Sequence, residues 1–344
     1  MAEDADFSPG AWKGHDFASA REFYADHAGR SYAEANAKGV EATSLVPSSL
    51  TTQSTSPLVV MVDVTGSMTT WPAVIFSKLP YLDIEGKEYL GPDMEISFAA
   101  NTDLDDGYPL QIRKFGTGPS LKTELSNFII GGGAGPVGGQ EAYEMGALYY
   151  AFNVDMPNAV RPIFIFVSDE QPHAAVTSAA AQKYAKVDLG KKNRMTVDEV
   201  FDALKTKYSV YLVHKRYEDG GRSRQEWVRL IGADRVVDLD DPERIVDVIF
   251  GILAQETGRV DYFKKEIEGR QNPRQVATVY KALGTVHAKP ATPPPSAHVP
   301  SVDMGRFEGL QVPEPPPEPA PVGKGKSTLH RPTGGKPAKG LLGG

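Results

Sequence analysis

Two uninterrupted apolar runs constrain the fold of this chain more than any other feature. Residues 58–62 read Leu-Val-Val-Met-Val, and residues 163–167 read Ile-Phe-Ile-Phe-Val. A strand that is apolar at every position is typical of a parallel sheet that helices cover on both faces. We therefore expect both runs to lie at the centre of such a sheet.

The segments around these runs alternate between strand-like and helical patterns. Further strand candidates are residues 94–100, 110–115, 209–214 and 236–239, and helix candidates are residues 71–82, 121–130, 141–152, 197–207, 224–231 and 242–256. Strands that are separated by helices of this length predict a doubly wound, mostly parallel α/β sheet with helices on both faces.

The composition divides the chain into four regions. Residues 1–56 are predicted to form an N-terminal extension with one helix, at residues 17–38, and a Ser/Thr-rich linker. Residues 57–256 are the predicted α/β domain, and residues 257–288 are expected to add C-terminal helices. Residues 289–344 are dominated by Pro, Glu, Lys and Gly, which cannot bury a core, so they are predicted to be a disordered Pro/Gly-rich tail.

Composition and charge exclude several functional classes. The 344-residue chain has no cysteine, which rules out a disulfide framework, a thiolate zinc site and a cysteine nucleophile. A net charge of −7 does not suit general nucleic-acid binding, because phosphate neutralisation needs clustered Lys and Arg. The N-terminus lacks the apolar core of a secretory signal, and no run approaches the ~20 apolar residues that span a bilayer. We therefore expect a cytoplasmic protein that binds neither nucleic acid nor membrane.

Polar residues follow both buried strands, where a ligand site is expected. In an open parallel sheet, ligands bind beyond the carboxyl ends of the strands. The first run is followed by Asp63, Thr65 and Ser67 at alternate positions, and the second is followed by Asp169. Two carboxylates and two hydroxyls form an all-oxygen set that suits Mg²⁺, Mn²⁺ or Ca²⁺ and not Zn²⁺. The sequence therefore predicts a divalent-metal site at these strand ends.

This pattern resembles the metal-ion-dependent adhesion site (MIDAS) of the von Willebrand factor A (VWA) domain. The first loop of that family reads Asp-x-Ser/Thr-x-Ser, which Asp63, Thr65 and Ser67 match. A later Asp after the central strand is matched by Asp169. The resemblance covers roughly residues 57–256, and it implies the same α/β fold that the strand and helix patterns predict.

The remaining loops resemble those of intracellular members of the family, with one departure. Residues 101–107, the glycine-rich residues 131–139 and residues 169–173 carry this part of the resemblance. The family usually supplies a further ligand, often a Thr, from the loop before the third major helix. That loop here has no Thr but contains Gln140 and Glu141. Gln140 is the ligand we predict, through its amide oxygen, and the Glu141 carboxylate or water is the alternative.

The resemblance implies a binding module and not an enzyme. A Mg²⁺ ion that is held by few protein charges remains electrophilic and accepts a carboxylate from a partner as its last ligand. The implied partner is a protein with an exposed acidic residue. Relatives of the family often work beside AAA+ ATPases of the MoxR type, so such an ATPase is the partner that the resemblance suggests.

Two other functions remain open. A metal-dependent hydrolase would need a positioned base or a second metal ion. Ser67, Asp169 and His173 resemble a nucleophile triad in composition, but no Gly-x-Ser-x-Gly elbow is present. A metal-free scaffold would instead recruit partners through the Pro-rich tail. In that case Asp63, Thr65 and Ser67 would form only a turn that caps the following helix.

Overall fold

A six-stranded sheet forms the centre of the fold. The computed structural model of the chain describes residue 12 and residues 15–26, 29–130 and 139–284. Its strands are β1 (Leu50–Thr51), β2 (Leu58–Asp63), β3 (Ile96–Asn101), β4 (Leu110–Ile112), β5 (Gln140–Glu141), β6 (Val154–Asp155), β7 (Ile163–Ser168), β8 (Gln171–Pro172), β9 (Ala175–Thr177), β10 (Arg194–Thr196), β11 (Ser209–His214) and β12 (Val236–Asp238). The central sheet has the order β12-β11-β7-β2-β3-β4, and its neighbours are parallel except for β3 and β4.

Helices connect the parallel strands and cover both faces of the sheet. They are α1 (Phe17–Ala25), α2 (Tyr32–Ala37), α3 (Thr70–Ser77), α4 (Leu79–Leu90), α5 (Ser120–Ser126), α6 (Tyr143–Phe152), α7 (Ser178–Ala180, which continues as a π-helix), α8 (Val197–Lys205), α9 (Arg222–Ile231), α10 (Ile245–Thr257), α11 (Val260–Arg270) and α12 (Pro273–Leu283). The predicted doubly wound, mostly parallel α/β sheet is therefore confirmed.

Alternate residues of the central strands face two separate apolar cores. On β2, Leu58, Val60 and Val62 lie in a core that includes residues from α3, α4, α10, α11 and α12. Val59 and Met61 face the opposite side and lie in a core with residues from α6, α8 and α9. Successive side chains of a strand point to opposite faces, so a strand between two cores is apolar at every position. This arrangement explains the uninterrupted run in the sequence.

The helix predicted at residues 17–38 is wrong as a single element, because the structure contains α1 and α2 instead. The Ser31 side chain accepts a hydrogen bond from the backbone N–H of Glu34, and the Glu34 side chain accepts one from the backbone N–H of Ser31. This capping box satisfies N–H groups that a helix start leaves unpaired, so α2 begins afresh at Tyr32.

The helix predicted at residues 71–82 is also divided, into α3 and α4. Lys78 ends α3, and Pro80 lies in the first turn of α4. Proline has no N–H to donate, and its ring clashes with the carbonyl four residues earlier, here that of Phe76. The sequence pattern missed this break, and it also ended the helix at residue 82, whereas α4 continues to Leu90.

The segment predicted as a Ser/Thr-rich linker takes part in the folded structure. It contains β1, which pairs in parallel with β6 through Leu50 and Val154. Both of these side chains are buried in the core under α6. Composition alone could not predict this strand, because it gives little weight to a single apolar residue, here the buried Leu50, among Ser and Thr.

Two predicted segments lie largely or wholly outside the described residues. They are the glycine-rich loop at residues 131–139, of which only Gly139 is described, and the tail at residues 289–344. In the part of the chain that is described, no helix combines the length and the apolar character that a membrane crossing requires.

Candidate functional site

Three fully buried polar residues meet at the carboxyl edge of the central sheet. Asp63 is the last residue of β2, and the strand register places it beside Asn101, the last residue of β3. Asp169 directly follows β7, the other neighbour of β2. The two predicted carboxylates therefore share one edge of the sheet, as the strand patterns led us to expect.

Hydrogen bonds fix both carboxylate oxygens of Asp63. Its Oδ1 accepts from the backbone N–H of Thr65 at 2.8 Å and from the Thr65 hydroxyl at 2.6 Å. Its Oδ2 accepts from the Tyr143 hydroxyl at 2.6 Å, and Tyr143 is the first residue of α6. The Thr65 oxygen donates in this arrangement and keeps its lone pairs for another partner.

Asp169 is satisfied on one side only. Its Oδ2 lies 3.1 Å from the Nζ of Lys215, which also donates to the backbone oxygen of Ser67 at 2.8 Å. Its Oδ1 is buried and has no hydrogen-bond partner among the described residues. Ser67 is exposed and lies in the short 3₁₀ turn Gly66–Met68. The site thus combines the buried carboxyl groups of Asp63 and Asp169 with an exposed rim that Ser67 and Lys215 form.

Burial and nearby carboxylates raise the pKa of two acidic side chains at the site. Burial and the neighbouring charge of Asp169 raise the pKa of Asp63 to about 7, against the hydrogen bonds from Thr65 and Tyr143. Burial raises the pKa of Glu141 to about 11, and the charges of Asp63 and Glu170 act in the same direction. Raised carboxyl pKa values mean that the folded protein resists ionising these groups unless a cation is nearby.

The predicted ligand Gln140 and its neighbour Glu141 form the short strand β5. β5 pairs in parallel with β8, with Gln140 opposite Gln171 and Glu141 opposite Pro172. Glu141 is buried, and its Oε2 has no hydrogen-bond partner among the described residues, whereas Gln140 is half-buried. The charge of Glu141 interacts with that of Asp63. Gln140 as a ligand stays a prediction, and Glu141 is the residue of this pair that the electrostatics connect to Asp63.

His173 lies between two other carboxylates. Its Nδ1 is 3.1 Å from Oε1 of Glu144, and its backbone N–H donates to the other oxygen of Glu144 at 3.1 Å. Its Nε2 lies 3.1 Å from Oδ1 of Asp103. Both ring nitrogens therefore have carboxylate partners other than Asp169, so a hydrogen-bonded triad of Ser67, Asp169 and His173 is not assembled in this arrangement.

The sequence reasoning missed three residues of the site. Lys215 is the first residue after β11, so the same search of strand ends that found Asp169 would also have found Lys215. Asn101 ends β3 and has a buried side-chain amide without a hydrogen-bond partner in the described part of the chain. Tyr143 gave no signal, because an aromatic residue at a helix start is usually part of the core.

The candidate donor atoms of the site are all oxygens, which are the ligands that a hard cation requires. The described residues contain no group of three or more His, Cys, Asp or Glu side chains arranged to hold a metal ion. The predicted set instead combines the carboxylates of Asp63 and Asp169 with neutral oxygens from Thr65, Ser67 and Gln140. Carboxylate, hydroxyl, amide and water oxygens are what Mg²⁺ accepts, and a buried carboxylate oxygen without a partner is present. The residues therefore fit the implied ion.

Comparisons with known proteins identify no family for this chain. No family model matches the chain, and no curated protein matches it. Among solved structures, the chain is similar to the pilus adhesin SpaC from Lactobacillus rhamnosus GG in its open conformation, with 13% identity, a TM-score of 0.42 and coverage of 63% of this chain and 30% of that chain. Another form of that adhesin matches with 12% identity, a TM-score of 0.41 and coverage of 63% and 31%. This chain thus spans under one third of the adhesin's length.

Proposed function

We propose that this chain is a VWA-like binding module that captures an acidic residue of a partner protein through a divalent ion. Mg²⁺ is the proposed ion, with Mn²⁺ or Ca²⁺ as substitutes. Its ligands on this chain are Asp63, Thr65, Ser67, Asp169 and Gln140, directly or through water. The observation that carries the proposal is the fully buried Oδ1 of Asp169, which has no hydrogen-bond partner among the described residues.

This edge of the sheet holds two buried carboxyl groups that Lys215 balances only in part. A buried carboxylate is costly unless it is paired, and an unpaired buried acceptor typically costs about 1–3 kcal/mol. Asp63 and Asp169 are both fully buried and raise each other's cost through repulsion. A divalent ion would balance both charges, and its binding would therefore also stabilise the fold.

The exposed rim supports the partner part of the proposal. Ser67 is exposed, and the Lys215 side chain is 30% exposed, so the site opens towards solvent on the side where these residues lie. An ion held there would keep water ligands that a partner carboxylate can replace. A MoxR-type AAA+ ATPase is the proposed partner, by resemblance to the VWA family.

We propose no catalytic activity. Both ring nitrogens of His173 have carboxylate partners, Glu144 and Asp103, so this imidazole does not offer a free base to a substrate at Ser67. A screen of the purified protein against hydrolase substrates checks this part of the proposal, and metal-dependent turnover there would contradict it.

Calorimetric titration with Mg²⁺ and Mn²⁺ tests the ion. We expect saturable heat for the wild type and none for Asp63→Ala or Asp63→Asn. Asp240→Ala is the matched control, because Asp240 also follows a strand of the sheet, β12, but is 56% exposed and pairs with the exposed Arg216. This control should bind as the wild type does. Absence of metal-dependent heat in the wild type would overturn the proposal.

The partner is tested separately. Short peptides that carry one Asp or Glu, and matched peptides with Asn or Gln, would be titrated in Mg²⁺ and in chelator. The same comparison would then be made with a purified MoxR-type ATPase from the same organism. Binding that requires both the carboxylate and the ion supports capture, whereas binding that is indifferent to chelator favours the metal-free scaffold.

A further inference from the structure

Lys215 bridges the two loops that carry the proposed metal ligands. Its backbone N–H donates to the carbonyl of Ser168 at 2.9 Å, which fixes the start of its side chain beside the end of β7. Its Nζ then reaches the backbone oxygen of Ser67 at 2.8 Å and Oδ2 of Asp169 at 3.1 Å. One ammonium group therefore contacts both sides of the site.

Lys215 is also the local counter-ion. Among the described residues, it is the only basic side chain paired with Asp63 or Asp169. It supplies one positive charge beside two fully buried carboxyl groups, Asp63 and Asp169. Its ammonium leaves Oδ1 of Asp169 buried without a hydrogen-bond partner in the described chain. Lys215 therefore compensates the carboxylates only in part.

A divalent ion and the Lys215 ammonium cannot both approach Asp169 without repelling each other, because like charges a few ångströms apart interact strongly in a partly buried site. The lysine side chain has a flexible four-carbon stem, and its side chain is already 30% exposed. It can therefore move from Asp169 into solvent without a change in the backbone, at the cost of its contacts with Asp169 and Ser67. Lys215 and the ion are alternatives at the same carboxylate.

We infer that Lys215 is an internal cation that closes this site in the metal-free protein and is displaced when a divalent ion binds. The inference rests on the proposed metal site and names its regulation. Lys215 stabilises the empty site, lowers the affinity for the ion and so sets the metal concentration at which the partner is captured. Displacement also frees the backbone oxygen of Ser67 and exposes a positive charge at the rim.

Mn²⁺ titration of the full chain by calorimetry, with wild type, Lys215→Met and Lys215→Arg, tests this inference. Methionine keeps the length and removes the charge, so Lys215→Met should bind Mn²⁺ at least about tenfold more tightly than the wild type. Lys215→Arg keeps the charge and should stay close to the wild type. Lys192→Met is the control for net charge, because Lys192 is 58% exposed and pairs with Glu199 away from the site.

A second readout separates the outcomes. In chelator, Lys215→Met should unfold at a lower temperature than the wild type, and Mn²⁺ should reverse the order. Tight binding by Lys215→Met with no binding by the wild type overturns displacement, because the lysine then keeps its place, and it overturns the proposed function of the wild type as well. Equal or weaker binding by Lys215→Met overturns the inference while the metal site stands. Failure of both proteins to bind overturns the inference and the metal site together.

Discussion

Glu144 and Asp169 are both fully buried carboxylates that contact or adjoin the loop after β7, but their surroundings differ. His173 donates its backbone N–H to one oxygen of Glu144, and its ring contacts the other. Asp169 meets only the Lys215 ammonium through Oδ2, and its Oδ1 has no hydrogen-bond partner in the described chain. The fold pairs both oxygens of Glu144 with His173, whereas Oδ1 of Asp169 can still accept a bond from a ligand. We interpret Glu144 as a residue that stabilises the contact between α6 and the loop after β7, and Asp169 as a residue that binds a ligand.

The largest expected effect comes from removing the internally paired carboxylate. Glu144→Ala leaves the backbone N–H and ring of His173 without their acceptor and opens a cavity beside α6. Breaking a buried pair in this way typically costs about 3–5 kcal/mol, so we expect the free energy of unfolding to fall by about 3 kcal/mol in urea. A loss below about 1 kcal/mol would show that Glu144 contributes no more to stability than an exposed ion pair does.

A smaller effect is expected at the hydroxyl that holds Asp63. Tyr143→Phe removes the hydrogen bond to Oδ2 of Asp63 and keeps the aromatic packing against Trp227. Hydrogen bonds to charged groups contribute about 1.5–3 kcal/mol, and the raised pKa of Asp63 places this bond at the low end. We expect a loss of about 1.5 kcal/mol when Mn²⁺ is bound and less in chelator, measured by urea unfolding. Equal losses of stability in both conditions would show that the hydrogen bond from Tyr143 to Asp63 does not depend on the ion.

The His173 contact predicts a pH dependence. Burial acts to lower the pKa of His173, but the hydrogen bond and charge of Glu144, with the charge of Asp103, outweigh it and raise this pKa. The stabilisation from His173 is therefore complete below the unfolded value of about 6.5 and is lost as pH rises through the higher folded value. Unfolding experiments between pH 6 and 8.5 should show this decline in the wild type and a weaker one in His173→Gln. A steeper decline in the variant would contradict the assignment.

The smallest effect is expected at an exposed pair beside the site. Arg216 follows Lys215 and binds Asp240, with side chains that are 65% and 56% exposed. Exposed ion pairs contribute about 0–1 kcal/mol, so Arg216→Ala should change the free energy of unfolding by less than about 0.5 kcal/mol. It should also leave metal binding intact. A large effect on metal affinity would extend the site to this rim.

The sequence was sufficient to predict the sheet and the two carboxylates. Strands between two cores are apolar throughout, so β2 and β7 were visible, and parallel strands place the residues that follow them at one edge. Asp63 and Asp169 follow directly from that rule. The helix divisions were missed because capping by Ser31 and the break at Pro80 act within a continuous helical pattern.

The rest of the site depends on the order of the strands and on side-chain reach. Nothing in one sequence states that β11 lies next to β7, so the contact of Lys215 with Asp169 could not be predicted. The pair of Glu144 and His173 joins a helix to a loop, which only the packing of α6 on the sheet determines. The residues that balance charge were therefore harder to predict than the residues that carry it.

Thermal unfolding of the wild type and Asp169→Asn, each in chelator and in saturating Mn²⁺, tests the central claim most directly. We predict that Mn²⁺ raises the unfolding temperature of the wild type and leaves that of Asp169→Asn unchanged. In chelator, Asp169→Asn should unfold at a temperature no lower than the wild type, because it loses the repulsion with Asp63 along with the Lys215 contact. An unchanged wild type, or an equal rise in Asp169→Asn, would contradict the claim that this edge of the sheet holds a divalent ion.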